Sequence, residues 1–328
     1  MSRTDRSQWP PLVLERGARE FVRDHDCPRV PPGTDPGPAR AAVARLLDGR
    51  PPDEHVTEEW LSLPGGPGRC RIPVRILRPA GAEGPLPVVL FAHGIGWTLT
   101  DAATPGRLPA DLALGADAAV VVPEYTRAPE ARYPEAVGQL HEVARWITRQ
   151  GGQCGLDGAR LAVAGVSSGG NLAAALTLLA KERGEVEFLH QVLLCPVTDA
   201  GLDTPSYRAF GEGHFLGGEA MRGFWRQYVP DPADRLRSTA SPLRATDAEL
   251  AGLPAALIVT AEADVVRDEG EAYAARLRAA GVPVTSLRYH GTVHGFVLFD
   301  ALRGSDAATA ARVQTMDTLH TALHSWRS

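Results

Sequence analysis

Short, nearly continuous apolar runs recur through the central part of the chain, and segments with helical spacing of apolar residues separate them. Such runs are typical of parallel strands that are covered on both faces of a sheet. They lie at Val88–Ala92, Ala118–Val122, Leu161–Ala164, Val192–Cys195 and Ala256–Thr260. The helical segments lie at Glu135–Arg149, Gly169–Arg183 and Glu269–Ala280. This alternation predicts an α/β fold with an open, mostly parallel sheet and right-handed crossovers.

The amino-terminal residues carry a different pattern and are too few to fold by themselves. Apolar positions at helical spacing predict one helix within residues 11–27 and a second, shorter helix at Ala39–Leu47. A segment rich in proline and glycine, residues 28–38, separates the two. We therefore predict that residues 1–50 form cap helices that pack on a core of residues 51–328.

Two further segments depart from the alternation of strand and helix. The extended stretches Val56–Leu63 and Cys70–Leu77 predict an antiparallel hairpin at the start of the sheet. The longest interval between predicted strands far exceeds one crossover, and it contains an aromatic-rich helix candidate at Gly218–Val229. This interval leaves the sheet at the carboxyl ends of the strands, so we predict a cap insertion at about residues 200–245.

Composition and charge restrict the class of protein. The 328 residues are 44% hydrophobic and 22% charged, with a net charge of −5, as in an ordinary globular protein. The chain has no run of basic residues, so neither nucleic acid nor an anionic membrane is an expected partner. No apolar stretch resembles a secretion signal or a membrane span, and we expect a cytoplasmic protein.

The cysteines and histidines give no metal signature. Cys27, Cys70, Cys154 and Cys195 show no C-x-x-C spacing and are expected to be free thiols in a reducing compartment. The sequence also lacks an H-E-x-x-H motif. We therefore expect neither a metal nor a cofactor.

Residues 161–176 carry the strongest chemical signal, L-A-V-A-G-V-S-S-G-G-N-L-A-A-A-L. An apolar strand is followed by a turn from Gly165 to Gly169 and then by a helical run. A nucleophilic serine needs this arrangement, because the tight turn tolerates only very small residues two positions before and after it. The following helix directs its N–H groups and positive dipole end toward an oxyanion formed there. We predict that Ser167 is the nucleophile.

A nucleophilic serine needs a general base and a carboxylate that orients the base. Two strands that follow Ser167 in the chain end in A-E-A-D and H-G-T-V-H-G-F. Open α/β sheets place their chemistry just beyond the carboxyl ends of the strands, so we predict Asp264 as the acid and His294 as the base. His290 is the competing base, with less loop to reach the serine. Asp268 directly precedes a predicted helix and is the better candidate for its N-cap.

A glycine-rich loop, F-A-H-G-I-G-W, follows the first central strand. Attack on an ester carbonyl develops a negative oxygen, and flexible backbone at this place can turn its N–H groups toward that oxygen. The N–H of Ser168 would supply a further donor. We predict an oxyanion hole between the loop and the serine turn.

Together these motifs resemble those of the hormone-sensitive-lipase-like esterases. H-G-I-G-W resembles their H-G-G-G-[F/W], and G-V-S-S-G-G-N-L-A resembles their G-D-S-A-G-G-N-L-A. E-Y-T-R-A-P-E is similar to D-Y-R-L-A-P-E, and A-E-A-D-V-V-R-D-E-G to A-x-x-D-P-L-R-D-E-G. V-H-G-F resembles the histidine motif of the family. The matches run in the order of the family from about residue 56 to the carboxyl end.

The resemblance implies an α/β-hydrolase fold, with an eight-stranded, mostly parallel sheet flanked by helices and a small helical cap. It implies a catalytic triad of Ser167, Asp264 and His294. It also implies an oxyanion hole in which Gly94 allows the turn and the N–H donors belong to Ile95, Gly96 and Ser168.

Several positions depart from the motifs of the family, among them Ile95, Val166 and Thr126. Ile95 replaces the middle glycine of the oxyanion loop, so a β-branched residue must accept a strained φ or the loop must be rearranged. Val166 replaces the aspartate beside the nucleophile, and Thr126 replaces the arginine of D-Y-R. If those two family residues support each other, their joint loss leaves no unpaired charge. The departures bear on substrate preference and rate, since no triad atom is lost.

These features predict a serine carboxylester hydrolase that acts on short or medium acyl esters of a small molecule through an acyl-enzyme. Trp97, Phe215 and Trp225, together with Ile95, are predicted to line the substrate pocket. An aryl formamide or amide hydrolase is one alternative, because such enzymes have a similar H-G-G-x-W loop. A non-hydrolytic tailoring enzyme for natural products, or a binding protein on the same fold, is the other. A homodimer is compatible with the sequence.

Overall fold

A computed structural model describes residues 12–31, 33–47, 54–65, 71–104 and 106–325. Within them, eight strands form one sheet in the order β1-β2-β4-β3-β5-β6-β7-β8. The strands are β1 (Val56–Leu63), β2 (Ile72–Pro79), β3 (Leu86–Ala92), β4 (Ala119–Pro123), β5 (Leu156–Val166), β6 (His190–Leu194), β7 (Ala255–Ala263) and β8 (Val284–Val293). The helices are α1 (Arg16–Asp24), α2 (Gly37–Leu47), α3 (Leu108–Ala116), α4 (Glu135–Gln150), α5 (Ser168–Arg183), α6 (Pro205–Phe210), α7 (Gly218–Tyr228), α8 (Asp247–Leu250), α9 (Arg267–Ala279) and α10 (Asp306–His324).

The pairing of the strands confirms the predicted α/β sheet. β1 and β2 form the predicted antiparallel hairpin, with Val56 opposite Pro79 and Leu63 opposite Ile72. Cys70, where the second strand was predicted to begin, lies outside the described residues. β2 pairs antiparallel with β4, and the strands from β4 to β8 pair parallel. The sheet is therefore eight-stranded and mostly parallel, as in an α/β-hydrolase.

The core lies on both faces of the central strands. Every residue of β3 and of β4 is buried, which explains the continuous apolar runs in the sequence. Two helix pairs, α3 with α10 and α4 with α5, pack on the sheet and contact its central strands. Among the described residues, no helix combines the length and apolarity needed to cross a lipid bilayer.

Two helices of this core are absent from the sequence-based prediction. The buried face of α10 begins with Ala307, Ala308 and Ala311 and continues with Thr315. These small or polar side chains give almost no hydrophobic periodicity, so the helix is hard to recognise from its pattern. α3 is short, and its buried face includes a proline in the first turn. Only packing against the sheet reveals either helix as a core element.

The carboxyl ends of five neighbouring strands meet at one edge of the sheet. In the order of the sheet, these strands are β3, β5, β6, β7 and β8. The glycine-rich loop follows β3, Ser167 follows β5 directly, Asp264 follows β7, and His294 follows β8. Neighbouring parallel strands thus bring together residues that lie up to 200 positions apart in the chain.

Candidate active site

Ser167 occupies the sharp turn between β5 and α5. Its backbone has φ 59° and ψ −122°, outside the helical and strand regions, and the residue is 4% exposed. A Cβ on Gly169 would lie 2.0 Å from the carbonyl oxygen of Ala92, and a Cβ on Gly165 would lie 2.2 Å from that of Gly169. Both positions therefore require glycine, which is the physical reason for the predicted G-x-S-x-G spacing.

Asp264, His294 and Ser167 form one hydrogen-bonded chain. Ser167 Oγ lies 2.8 Å from His294 Nε2, and His294 Nδ1 lies 2.7 Å from Asp264 Oδ2. In this geometry the serine hydroxyl donates to Nε2 while Nδ1–H donates to the carboxylate. The other carboxylate oxygen accepts the backbone N–H of Val266 at 3.1 Å. The aspartate is 1% exposed and the histidine 4%, so the imidazole is held in one orientation away from bulk water.

His290, the competing base, and Asp268, the predicted N-cap, both lie outside this hydrogen-bonded chain. The His290 side chain is 72% exposed and its Nδ1 lies 3.1 Å from Glu262 Oε1. His290 belongs to β8 itself, whereas His294 follows the end of that strand. The N-cap prediction for Asp268 is wrong, because α9 begins at Arg267 and the aspartate lies within its first turn. Its carboxylate instead accepts the backbone N–H of Ser206.

The loop after β3 turns back through three consecutive residues with positive φ, Ile95 at 100°, Gly96 at 64° and Trp97 at 56°. Ile95 therefore does adopt a conformation that β-branched residues rarely accept. A Cβ on Gly94 would lie 2.0 Å from the carbonyl oxygen of Val166. The loop is thus pressed against the serine turn, and glycine at position 94 is a steric requirement.

One of the three backbone N–H groups predicted as oxyanion donors, that of Ile95, has an acceptor within the protein. The N–H of Ile95 donates to the side-chain oxygen of Ser168 at 3.1 Å, and the N–H of Trp97 donates to the same oxygen at 3.0 Å. The Ile95 N–H is therefore already hydrogen-bonded within the protein, to the Ser168 hydroxyl. In the described part of the chain, the N–H groups of Gly96 and Ser168 have no protein acceptor. These two remain as donors beside Ser167.

Val166 and Thr126, the other two departures, place neutral side chains where the family motifs have an aspartate and an arginine. Val166 is fully buried at the end of β5. The backbone N–H of Thr126 donates to Gln139 Oε1 at 2.7 Å, and Gln139 Nε2 donates to Thr126 Oγ1 at 3.0 Å. Gln139 Nε2 also lies 3.1 Å from a Glu135 carboxylate oxygen. A neutral amide therefore satisfies the polar groups of Thr126.

A small apolar cavity of about 10 Å³ opens onto Ser167 and His294. This volume is roughly that of one water molecule. The described residues that line it carry no charged side chain; besides Ser167 and His294 they are Cys27, Ile95, Gly96, Val197, Phe215, Leu216, Met221, Phe224, Gly295, Leu298 and Phe299. The cavity thus places Ser167 and His294 beside mostly apolar side chains.

Of the predicted pocket residues, Ile95 and Phe215 line the cavity, while Trp97 and Trp225 do not. Trp97 is 1% exposed and stacks on Tyr228 with ring centroids 4.5 Å apart, and Trp225 lies 4.8 Å from Trp97. Phe224 lines the cavity in place of its neighbour. Successive side chains of a helix point about 100° apart, so only one of the two adjacent rings can face Ser167.

Two cysteines belong to the site although sequence reasoning treated them only as free thiols. Cys27, from the segment after α1, lines the cavity, and burial raises the pKa of its thiol to about 12. Cys195 directly follows β6, and its sulfur lies within 4.8 Å of ligand atoms of Asp264 and His294. Burial and the nearby Asp264 carboxylate hold the pKa of the Cys195 thiol well above its usual range. The signal for Cys195 in the sequence was its position at the carboxyl end of a predicted strand, Val192–Cys195.

Three aromatic rings close the cavity on the side of the amino-terminal helices. The Phe21 centroid lies 5.0 Å from Phe215 and 4.9 Å from Phe299, and the last two are 5.0 Å apart. These rings come from α1, from the segment between β6 and β7, and from the loop after His294. Residues far apart in the chain therefore meet in one aromatic cluster, and Phe215 and Phe299 of this cluster line the cavity.

A wider groove of about 950 Å³ lies at the opposite edge of the sheet. It is lined by residues at the amino ends of β6 and β7, including His190 and Ala255. None of Ser167, Asp264 and His294 lines it. Size alone would select this groove, but the convergent polar groups lie at the other edge.

The chain matches a family model described as alpha/beta hydrolase fold over residues 89–298. It is 36% identical over 289 residues to the carboxylesterase NlhH of Mycobacterium tuberculosis, covering 86% of this chain and 89% of that protein. It is also 36% identical over 229 residues to an ethyl acetate hydrolase of Pseudomonas putida, covering 69% of this chain and 71% of that protein.

Solved structures with the same architecture include esterases. A thermostable esterase from Pseudomonas putida ECU1011 superposes with a TM-score of 0.91 at 40% identity, covering 97% of this chain and all of that chain. A hyperthermophilic esterase from Pyrobaculum calidifontis superposes with a TM-score of 0.84 at 32% identity, covering 94% and 99% of the two chains. With these matches and its sheet topology, the chain belongs to the α/β-hydrolase fold family, among the hormone-sensitive-lipase-like esterases.

Proposed function

We propose that this chain is a serine carboxylester hydrolase that cleaves short-chain acyl esters of a small molecule. One observation carries the proposal, the buried chain of hydrogen bonds from Ser167 Oγ through His294 to Asp264, with heavy-atom distances of 2.8 and 2.7 Å. It opens onto an apolar cavity. Relatives that align over most of the chain are named carboxylesterase and ethyl acetate hydrolase, which supports the same reaction class.

In the first half-reaction, Ser167 Oγ attacks the ester carbonyl carbon while His294 Nε2 takes the hydroxyl proton. Asp264 stabilises the imidazolium and keeps Nδ1 as the protonated nitrogen. When the tetrahedral intermediate collapses, the bond to the leaving oxygen breaks and His294 returns the proton to it, which releases an alcohol. A water molecule then repeats these steps on the acyl-enzyme, and a carboxylic acid leaves.

The negative oxygen of the intermediate needs donors that are already in position. The N–H groups of Gly96 and Ser168 are the groups we assign to this task, since both lie beside Ser167 without a protein acceptor among the described residues. Ser168 is the first residue of α5, so the positive end of the helix dipole adds to its effect. Loss of one such donor typically costs about 2.7–4 kcal/mol of transition-state stabilisation.

The apolar lining and small size of the cavity support a short acyl chain and a neutral substrate. The cavity has room for about one water molecule, so we infer that residues around it shift when an ester enters. We assign this movement to a cap built from residues 1–50 and the insertion at 200–245. Supporting contacts are the rings of Phe21 and Phe215 and the bond from Gln227 Nε2 to the Val30 carbonyl at 2.6 Å.

The complete hydrogen-bonded chain favours a catalytic function over a binding function. A protein that only binds a ligand has no use for a serine held within 2.8 Å of a histidine in a strained turn. Parallel assays of an aryl acetate and an N-formyl aryl amine separate ester from formamide hydrolysis. We expect turnover of the ester and little turnover of the formamide.

The direct test uses p-nitrophenyl acetate with wild type and Ser167→Ala. We expect hydrolysis by wild type, no turnover above background by the variant, and equal unfolding transitions. Ser238→Ala is the matched control, because this half-buried serine does not line the cavity and its hydroxyl donates to Glu249 Oε1 at 2.6 Å. A fluorophosphonate probe should label wild type and Ser238→Ala but not Ser167→Ala. Turnover by Ser167→Ala at the wild-type rate would contradict the proposal.

A further inference from the structure

Ser168 has a side chain whose position is unusual for the residue that follows a nucleophile. It is fully buried, and its oxygen accepts two backbone N–H groups from another segment, Ile95 at 3.1 Å and Trp97 at 3.0 Å. Both donors belong to the loop after β3, more than 70 residues earlier in the chain. The Ser168 hydroxyl thus links the loop after β3 to the start of α5 by two hydrogen bonds.

The loop needs fastening because its conformation is sterically costly. Ile95 has φ 100° and Trp97 has φ 56°, and neither residue has the freedom of glycine. The two bonds to Ser168 flank Gly96, the residue that lies between them and lines the cavity. The carbonyl of the Ile95–Gly96 peptide also accepts the N–H of Leu99 at 3.1 Å, so the two bonds to Ser168 act together with this bond to fix the direction of the Gly96 N–H.

Ile95 and Ser168 both differ from the residues that the motifs of the family have at these positions. Isoleucine stands in place of the middle glycine of H-G-G-G, and Ser168 in place of the alanine of G-D-S-A-G. In the structure these two residues are joined by a hydrogen bond of 3.1 Å. The Ser168 hydroxyl, which the alanine of the family motif lacks, is therefore the acceptor that holds the strained Ile95.

We propose that the Ser168 hydroxyl is a positioning residue that holds Ile95-Gly96-Trp97 in its positive-φ conformation, and that its effect is coupled to the side chain of Ile95. This inference rests on the proposed ester hydrolysis. Ser168 then has two separate tasks: its N–H faces the developing oxyanion, while its side chain keeps the Gly96 N–H in place as the second donor. The bound ester itself is not touched by the hydroxyl.

A double-mutant cycle on p-nitrophenyl acetate hydrolysis tests the coupling. Ser168→Ala should lower kcat roughly tenfold or more, a smaller effect than the roughly 10²–10³-fold that follows complete loss of a donor, because the Gly96 N–H is misplaced and not removed, with KM nearly unchanged. In the Ile95→Gly background the same change should cost several-fold less, because glycine adopts positive φ without steric penalty. An equal loss in both backgrounds, or a Ser168→Ala enzyme as active as wild type, would overturn the proposal.

A second measurement keeps this test independent of the proposed function. Amide hydrogen exchange at Ile95 and Trp97 should be faster in Ser168→Ala than in wild type, with global stability retained. Unchanged exchange at both amides would overturn the positioning role, whatever the activity. Absence of ester hydrolysis by wild type, with faster exchange in the variant, would instead reject the proposed function and retain the role of Ser168 in holding the loop.

Discussion

The backbone N–H of Cys27 donates to the carbonyl oxygen of Phe215 at 3.1 Å. This bond joins the amino-terminal segment to the insertion between β6 and β7, and both residues line the cavity beside Ser167. The two parts of the proposed cap are therefore connected to each other at the lining of the cavity.

Loosening the junction should widen the range of acyl chains. Phe21 is 3% exposed and contacts Phe215 and Phe299, so Phe21→Ala should remove about 3–5 kcal/mol of packing. We expect hexanoate esters to gain several-fold relative to acetate esters, and the unfolding midpoint in urea to fall. Val13→Ala, at a residue that is 70% exposed, is the control. An unchanged chain-length preference in Phe21→Ala would argue against a cap at this place.

The two histidines near the end of β8 should differ sharply in function. His294→Asn removes the proposed base and should lower kcat by about a thousandfold or more. His290→Asn changes a side chain that is 72% exposed and paired with Glu262, so its steady-state kinetics should stay close to wild type. Comparable losses in the two variants would remove His294 from its assigned role.

Acid should destabilise the protein partly through His190. Burial lowers the pKa of this histidine to about 4, and its Nε2 has no partner among the described residues. The unfolded chain binds a proton near the ordinary value of 6.5, so native stability falls as the pH drops from about 6.5 toward 4. This loss amounts to at most about 3 kcal/mol.

The replacement His190→Gln should reduce the acid sensitivity that this group causes. Urea unfolding at pH 7.5 and pH 4.5 would show a smaller difference for the variant than for wild type. Ester hydrolysis at pH 7.5 should be unaffected, since His190 lies at the amino end of β6, away from Ser167. Equal pH dependence of the two unfolding free energies would contradict the assignment.

The thiols of Cys27 and Cys195 should resist chemical modification in the native state. Both residues are at most 5% exposed, and burial raises the pKa of both thiols, so little thiolate is present at pH 8. Ellman's reagent should leave ester hydrolysis intact in native protein, while all four cysteines react in urea. Inactivation that is abolished by Cys195→Ser would show that this thiol is accessible.

Local pattern was sufficient for much of the fold and for the three residues that the structure joins in one hydrogen-bonded chain, Ser167, His294 and Asp264. Ser167 could be located because the glycines around it are required by contacts within its own turn and with the adjacent β3. Asp264 and His294 could be located because each follows a strand whose apolar run is visible in the sequence. α10 was missed, since a helix whose buried face begins with alanines has little hydrophobic periodicity.

The sheet, the turn that carries Ser167, and the order of the proposed acid and base follow from residue order, because they depend on short-range patterns and on strand ends. The side chains that surround the serine do not follow from it. Trp97 and Trp225 pack on Tyr228 instead of the cavity, and Ser168 takes the N–H of Ile95. Such outcomes depend on side-chain direction and on contacts between distant segments, which residue order does not specify.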